Sequence, residues 1–292
     1  MLNPREQRIE IFEDTMKLCN GNTRLAEAVK KSISGTKFYS ADGKISVSRG
    51  ENGNTKISVT DERTFQAAKR LCGEYEGKRI AVLNFASATN PGGGVTKGSS
   101  AQEEALCRAT TLSRSLFQFF KPKSGKKDRY AVEANISLKD IAYPMDMNFG
   151  GIYSPGVTVF RNSSDLYSLM EENDVYKVGI ISVAALDFNE KHGKNLEYKA
   201  EDGGFTDEGL EIMKNKIRTI YRLALANGHD SLVAGAFGCG AFRLPSETVA
   251  ALFNEILSET EFRNKFRKIT FAILDKDGED GKFAPFYKLF NR

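Results

Sequence analysis

A glycine-rich run between a strand and an acidic helix start constrains the fold of this chain more than any other feature of its sequence. Residues 79–85 are apolar enough to form a buried strand, and the run Asn90-Pro91-Gly92-Gly93-Gly94-Val95 follows them closely. A short spacer then leads to Gln102-Glu103-Glu104, which opens a predicted helix. Consecutive glycines allow a close approach of the backbone to a ligand, while a helix N-terminus offers free N–H groups to an anion. The pattern therefore predicts a phosphate-binding loop in an α/β protein.

The two adjacent glutamates at this helix start have two interpretations. In one, Ser100-Ala101-Gln102-Glu103 is a capping box with Ser100 as the N-cap, and Glu104 only interacts with the helix dipole. In the other, a carboxylate is needed for chemistry on a phosphorylated ligand. A capping box does not require a run of three glycines, so the sequence favours the second interpretation.

A second glycine-rich loop lies much later in the chain, at Gly238-Cys239-Gly240-Ala241-Phe242. Taken with Gly92-Gly93-Gly94 and Gln102-Glu103-Glu104, it resembles the signature of the poly(ADP-ribose) glycohydrolases. The run Leu83-Asn84-Phe85-Ala86-Ser87-Ala88-Thr89-Asn90-Pro91 resembles the bacterial-type branch of that family. The resemblance implies a macrodomain fold and hydrolysis of the ribose–ribose bonds of poly(ADP-ribose), from the polymer end, with release of ADP-ribose.

The resemblance also implies a role for individual residues of the two loops. In the family, the second glutamate of the pair protonates the departing ribose oxygen and then deprotonates water. That role falls to Glu104, and Glu103 positions the ribose; neighbouring helical residues point about 100° apart, so the two carboxylates address different groups. Phe242 matches the aromatic residue that holds the terminal ribose against the helix. The other residues expected to bind substrate are Asn90, Gly92, Gly93, Gly94, Val95, Gln102, Gly238, Cys239, Gly240 and Ala241.

Some assignments stay open on the sequence alone. Ser87 stands where vertebrate-type members have an asparagine, and Asn90 is expected to supply that amide. Phe242 has a second interpretation as a core residue after a tight turn, and Cys239 is interpreted as small-residue packing rather than as a thiol nucleophile. A hydrolase of single ADP-ribose units on protein or nucleic acid, or a non-catalytic ADP-ribose reader, would keep both glycine loops. Only the glycohydrolase requires an ionisable Glu104.

Composition limits the partners of the chain. Its 292 residues carry a net charge of only +4 and no basic tract, so direct nucleic-acid binding is not expected. With four scattered cysteines and two histidines, neither a metal site nor any other cofactor is expected, and the chain is predicted to be reduced and intracellular. No apolar run reaches membrane-spanning length. We therefore expect a cytoplasmic monomer that acts on ADP-ribose or poly(ADP-ribose) attached to modified macromolecules, as part of the DNA damage response.

Alternating strands and helices predict an α/β/α sandwich with a mixed sheet. Residues 1–75 are expected to form a helical and hairpin extension packed on the core, and residues 76–292 the macrodomain-like catalytic domain. Residues 121–127 are predicted to be an exposed connection. Residues 187–205 are predicted to be either a mobile loop over the site or a solvated connection. The predicted helices are 4–21, a second from 23, then 61–73, 101–120, 206–226 and 245–259; the predicted strands are 44–48, 56–60, 79–85, 156–160, 178–184, 231–237 and 269–274.

Overall fold

The structure, a computed structural model, describes residues 2–40, 45, 47, 53–74, 80–119, 142–164, 166–275 and 281–291. Within these ranges seven strands form one mixed sheet. The strands are β1 (Lys37–Tyr39), β2 (Lys56–Thr60), β3 (Ile80–Phe85), β4 (Gly151–Val159), β5 (Tyr176–Val183), β6 (Ser231–Ala234) and β7 (Lys268–Ala272). The helices are α1 (Pro4–Gly21), α2 (Thr23–Gly35), α3 (Thr64–Glu74), α4 (Gln102–Ala109), α5 (Leu112–Leu116), α6 (Asp207–Ala226), α7 (Ser246–Leu257) and α8 (Phe283–Phe290).

The strand order across the sheet is β1-β4-β5-β3-β6-β7-β2. Strands β5, β3, β6, β7 and β2 run parallel to one another, whereas β4 is antiparallel to β5 and β1 is antiparallel to β4. The two glycine loops follow β3 and β6, which are neighbours in the sheet. Because the carboxyl ends of parallel strands meet at one edge, this topology brings the two loops together.

Helices cover both faces of the sheet, as the predicted sandwich requires. On one face α6, α7 and α8 enclose a core rich in aromatic rings, including Tyr221, Phe253 and Phe271. On the other face α1, α3, α4 and α5 pack over a second core that contains Phe12 and Phe117. Alternate residues of the central strands point into the two cores. The mixed α/β architecture of the prediction is confirmed.

Side-chain N-caps mark the starts of the two longest helices, α1 and α6. Asn3 is the N-cap of α1, where its side chain accepts hydrogen bonds from the N–H groups of Arg5 and Glu6. Thr206 caps α6 in the same way through the N–H of Gly209. In both cases a side-chain oxygen satisfies N–H groups that the first turn leaves without a partner.

The single helix predicted over residues 101–120 is wrong, because the helix is interrupted at Thr110 and Thr111. The Thr110 hydroxyl donates to the carbonyl of Leu106 and accepts from the N–H of Leu112. The backbone beside it pairs with β4, since the N–H of Thr111 donates to the carbonyl of Thr158. Threonine hydroxyls that bond the local backbone in this way compete with helix continuation.

The helix predicted over 61–73 begins three residues later, because α3 starts at Thr64. The carboxylate of Asp61 accepts from the N–H of Asp275 and does not cap the helix. The strand predicted at 56–60 exists as β2, which pairs in parallel with β7. Its predicted partner at 44–48 lies largely outside the described residues, and so does the connection at 121–127.

The part of the chain before residue 76 contributes strands to both edges of the sheet, β1 at one edge and β2 at the other. The boundary between an extension and a catalytic domain at residues 75 and 76 therefore stays a prediction, and the sheet continues across it. None of the helices in the described ranges combines the length and the apolar character needed to cross a bilayer.

Candidate active site

A cavity of about 1280 Å³ lies at the edge of the sheet where the two glycine loops meet. Its wall includes both glutamates of α4 and residues from each loop. The sequence-predicted site residues that line it are Asn90, Gly93, Gly94, Glu103, Glu104, Ala241 and Phe242. The topology thus brings together residues that are almost 140 positions apart in the chain.

Glu104 is buried against the first glycine loop. Its Oε1 accepts a hydrogen bond from the N–H of Gly94 at 2.8 Å, and its buried Oε2 has no partner among the described residues. A Cβ atom on Gly93 would lie 2.4 Å from Oε1 of Glu104, and Gly93 has a φ of +59°. Only glycine therefore allows the carboxylate to approach the loop so closely. The unpaired oxygen is available to a ligand in the cavity.

Glu103 is held by the end of β3 instead. Its Oε1 accepts from Nδ2 of Asn84 at 3.2 Å, and its Oε2 accepts from the N–H of Ser87 at 2.8 Å. Burial raises the pKa of the Glu103 carboxyl to about 8, although both hydrogen bonds oppose the rise. Glu103 also interacts with the backbone of Gly92 in the first glycine loop. Of the two glutamates, only Glu103 is in addition bonded to Asn84 and Ser87.

The structure does not contain the predicted capping box. The N-cap of α4 is Ala101, which has no side chain able to cap, and no side-chain hydrogen bond caps this helix start. Ser100 is therefore not the cap, and the capping interpretation of Glu103 is wrong. The Gln102 side chain holds the helix start in place. Its Oε1 accepts from the N–H of Phe85 at 2.9 Å, and its Nε2 donates to the carbonyl of Leu83 at 2.8 Å. The Gln102 amide thereby ties the helix start to the end of β3.

Phe242 forms part of the wall from the second glycine loop. Its ring is half-buried and meets the imidazole of His192 edge-on, with the ring centres 6.4 Å apart. The other residues of this loop are placed differently. Gly238 and Gly240 line a smaller neighbouring cavity, while Cys239 is buried and lines neither. Burial raises the pKa of the Cys239 thiol to about 12, which suits packing and not nucleophilic attack.

Three of the first-loop candidates do not line the large cavity. Gly92 packs against the ring of Phe117, and Val95 is buried in the core beside it. Gln102 lines the smaller cavity, whose volume is about 330 Å³. That cavity is largely apolar and adjoins the large one, because Phe85, Ser100, Ala101, Ala241 and Phe242 line both.

Sequence reasoning missed several residues of the large cavity. The segment 187–205 was expected to be either a loop over the site or a solvated connection, and its first part supplies Asp187, His192, Lys194 and Asn195 to the wall. Nδ1 of His192 lies 2.8 Å from Oδ2 of Asp187. The only signal in the sequence was the scarcity of histidine, which does not by itself point to a site.

Tyr143 was missed as well, and no pattern in the sequence marks it. It lines the cavity, and its buried hydroxyl has no hydrogen-bond partner in the described part of the chain. Burial, reinforced by Glu103, raises the pKa of Tyr143 above its usual range, so the hydroxyl keeps its proton. A buried hydroxyl without a partner is a candidate donor to a ligand.

Side chains of helix α1 form hydrogen bonds with the turn that joins the first glycine loop to α4. Nε of Arg5 donates to the carbonyl of Lys97, and Nε of Arg8 donates to the carbonyl of Gly98, each at 2.7 Å. One end of α4 is held as well, because the hydroxyl of Thr15 donates to the carbonyl of Arg108 at 2.7 Å. Gly98 has a φ of +73°, and a Cβ there would lie 2.5 Å from the carbonyl oxygen of Arg5. Helix and turn therefore touch backbone to backbone.

Within the described ranges, no group of three or more histidine, cysteine, aspartate or glutamate side chains is arranged to hold a metal ion. The N–H groups of Gly93, Gly94 and Val95 are donated within the protein, to Asn90, Glu104 and Gly92. The arrangement can therefore bind an anion through N–H groups of the second glycine loop, and it can offer a carboxylate oxygen to a nearby sugar.

The chain matches the family model of the microbial-type PARG catalytic domain over residues 6–162. It is similar to the solved structure of poly(ADP-ribose) glycohydrolase (PARG) from Thermomonospora curvata, with 28% identity, a TM-score of 0.74, and coverage of 97% of this chain and 99% of that one. The same enzyme bound to the inhibitor ADP-HPD gives 29% identity, a TM-score of 0.73, and coverage of 98% and 100%. PARG from Deinococcus radiodurans in complex with ADP-ribose gives 30% identity, a TM-score of 0.68, and coverage of 89% and 96%. No curated protein matches the chain.

Proposed function

The chain belongs to the microbial-type poly(ADP-ribose) glycohydrolases, and from that premise we propose that Glu104 is the general acid and base of its reaction. The chain is a glycoside hydrolase that cleaves poly(ADP-ribose). The observation that carries the assignment is the buried Oε2 of Glu104, which has no partner among the described residues although Glu104 lines the cavity. A proton on that oxygen can pass to the leaving ribose oxygen, and the resulting carboxylate can then take a proton from water.

The other groups of the site would act on binding and orientation. The second glycine loop would present N–H groups to the diphosphate of a terminal ADP-ribose unit, and the small apolar cavity has room for its base. Phe242 lies between the two cavities and would hold the terminal ribose. Glu103, with its raised pKa and two fixed hydrogen bonds, would orient the ribose rather than exchange protons with it. Tyr143 would donate its hydroxyl hydrogen to the same sugar.

We propose cleavage from the polymer end, because one ADP-ribose unit would occupy both adjoining cavities and its adenosine end would lie in the smaller one. Incubation of the protein with automodified polymer, followed by chromatography of the products, tests this. Free ADP-ribose should appear from the first time points. Accumulation of oligomers before the monomer would contradict end cleavage.

The catalytic assignment is tested with the variant E104Q. The amide keeps the shape of the side chain but cannot transfer a proton, so polymer hydrolysis should fall by about 10² to 10⁴-fold while ADP-ribose affinity changes by only a few-fold. Loss of a favourable contact with a helix dipole is worth only about 0.3 to 1 kcal/mol, too little to explain such a loss of rate. E103Q should lose less of the rate of polymer hydrolysis, because it misplaces the ribose but leaves Glu104 able to transfer a proton.

A matched control for the E104Q experiment is E247Q, which removes an exposed carboxylate that lies in the first turn of α7 and lines neither cavity. It should leave the rate unchanged. A folded E104Q protein that still releases ADP-ribose at a near wild-type rate would contradict the mechanism. Tight ADP-ribose binding by a wild-type protein that releases none would instead favour a reader, and release only from singly modified protein would favour a mono-ADP-ribosyl hydrolase.

We further propose that the chain works in the cytoplasm as a monomer, without a cofactor, on polymer formed in the DNA damage response. The support is chemical: Cys19, Cys107 and Cys239 are free thiols, as in proteins of reducing compartments. Light scattering of the purified chain and fractionation of the source cells would test the oligomeric state and the compartment.

A further inference from the structure

Polar and charged residues from two further segments line the large cavity besides the glycines, the glutamates and Phe242. Lys97 reaches it from the turn after the first glycine loop, and Asp187, His192 and Lys194 reach it from the segment after β5. The two segments follow β3 and β5, which are parallel neighbours in the sheet, so they flank the same groove. The wall formed by these four residues is called the outer wall below.

Hydrogen bonds hold the segment after β5, which carries three of the four residues of the outer wall. The N–H of Phe188 donates to the carbonyl of Phe242, and Nδ2 of Asn189 donates to the carbonyl of Ala241, each at 2.9 Å. The two ends of the stretch from Asp187 to Asn195 are joined, because the N–H of Asp187 donates to Oδ1 of Asn195 at 3.1 Å. The segment is thereby anchored on the second glycine loop, which fixes where its backbone lies relative to the site.

His192 is oriented by two contacts. Its Nδ1 lies 2.8 Å from the Asp187 carboxylate, and the plane of its ring stands at 89° to that of Phe242. A carboxylate on Nδ1 favours the tautomer with a proton there, which leaves Nε2 to interact with a ligand. No described residue bonds Nε2.

The two lysines supply positive charge that the described part of the protein does not neutralise. Neither Lys97 nor Lys194 forms an ion pair with a described carboxylate. Glu190, which lies in the same segment, is paired with Lys199 at 2.8 Å. Two such ammonium groups at the mouth of one cavity suit a ligand with phosphate groups.

We propose that Lys97, His192 and Lys194 form a subsite for the polymer unit on the leaving-group side of the scissile bond. This rests on the proposed function. If the terminal unit occupies the glycine loops, its ribose lies at Glu104, and the next unit must leave the site through the remaining part of the cavity. That unit is itself a nucleoside diphosphate: its diphosphate would bind the lysines, and a ribose hydroxyl would bind Nε2 of His192. The subsite would hold the leaving oxygen near Glu104 and favour polymer over substrates with small leaving groups.

The test compares two substrates that share the terminal ADP-ribose unit. One is poly(ADP-ribose), and the other is ADP-ribose carrying 4-nitrophenol on its terminal ribose, which has no phosphate beyond the scissile bond. The double variant K97A/K194A should lose at least tenfold in kcat/KM on polymer, mainly through KM, and the salt dependence of KM should weaken. Its kcat/KM on the nitrophenyl substrate should change by less than twofold, and so should its affinity for free ADP-ribose. H192A should likewise lose kcat/KM on polymer while its kcat/KM on the nitrophenyl substrate changes by less than twofold.

The matched control is K191A, which removes one exposed lysine of the same segment that lines neither cavity. It should leave both substrates unaffected. Equal losses on both substrates would overturn the subsite, as would an unchanged kcat/KM on polymer. The proposed function is tested separately by the wild type: a wild-type protein that cleaves neither substrate would refute that function and the subsite with it.

Discussion

At the scale of single residues, the two adjacent glutamates differ in what holds them. Glu103 contacts the Asn84 amide and the backbone of Ser87, whereas Glu104 contacts only the glycine loop and keeps one oxygen free of described partners. A general acid must exchange a proton with substrate and with water, so it cannot be fully occupied by the protein. This difference in bonding, and not burial, distinguishes the two proposed roles, because both side chains are buried, with exposed fractions of 3% and 7%.

The raised pKa of Glu103 predicts a pH-dependent stability. The native carboxyl keeps its proton up to about pH 8, while the unfolded chain releases it near the ordinary value of 4.5. Between these values the native state binds more protons than the unfolded state, so stability should fall as pH rises, by up to about 1.4 kcal/mol per pH unit from this group. Unfolding in urea at pH 5 and pH 8 should show that E103Q gains stability relative to the wild type as pH increases. A difference that does not vary with pH would contradict the prediction.

Phe242 provides a second prediction at this scale. F242A should reduce turnover of polymer more than affinity for ADP-ribose, because the loop N–H groups still bind the diphosphate while the ribose loses the ring that holds it in place. Calorimetry with ADP-ribose and initial rates on polymer measure the two effects. The matched control is F205A, since Phe205 is also half-buried against the same core but lines neither cavity. Equal losses of affinity and rate in F242A would indicate a purely structural residue.

Single residues were predictable from the sequence only where neighbours in the chain define their role. The glycines, Glu103 and Glu104 lie in one short stretch, and their chemistry follows from that spacing. Asn84, Tyr143 and His192 reach the site from three other segments, and each interacts with it through tertiary contacts alone. No local pattern distinguishes such residues from ordinary strand or loop positions.

At the scale of elements, α1 acts on the site without lining it. Its Arg5 and Arg8 hold the carbonyls of Lys97 and Gly98, in the turn that leads from the glycines to α4. R5A/R8A should therefore let this turn move and misplace Glu104, lowering kcat on polymer by at least tenfold, since small displacements of a catalytic group cost up to about 10²-fold. The unfolding midpoint should change little, because both arginines lie at the surface or half-buried.

The control for the α1 prediction is R24A, which removes an exposed arginine of α2 whose partner is Glu172 on the surface. It should leave kcat unchanged. The conservative variant R8K should recover part of the lost rate, because a lysine can still donate to the Gly98 carbonyl. An R5A/R8A protein with wild-type kcat would show that the turn holds its position without α1.

Elements were predictable where their signals are local. Asn3 and Thr206 mark the starts of α1 and α6, and amphipathic spacing gives their lengths. The break at Thr110 depends on pairing with Val159 in β4, a strand far along the chain, and so does not show in the pattern of the helix. The choice of β7 as the partner of β2 is likewise a long-range contact, between two strands near opposite ends of the chain.

At the scale of the whole molecule, the segment before residue 76 is part of the sheet and of the layers around it. It supplies β1 and β2 at the two edges, and α1 and α3 bury Phe12, Phe65 and Leu71 against the second core. Truncation of one such buried side chain costs about 2 to 5 kcal/mol, and a native protein is stable by only about 5 to 15 kcal/mol in all. Removal of the whole segment should therefore cost more free energy than the stability of the remaining chain.

A chain that begins at residue 76 should accordingly fail to fold, even though it keeps both glycine loops and both glutamates. Far-UV circular dichroism should show little helix, and ADP-ribose should produce no thermal shift. In the full chain, ADP-ribose at a hundredfold excess over its Kd should add about 2.7 kcal/mol to the free energy of unfolding and raise the unfolding temperature clearly. The control is coexpression of 1–75 and 76–292 as two chains, which should restore the shift if the missing contacts are the cause. A folded 76–292 fragment that binds ADP-ribose alone would show instead that the segment before it is an accessory to an independent catalytic domain.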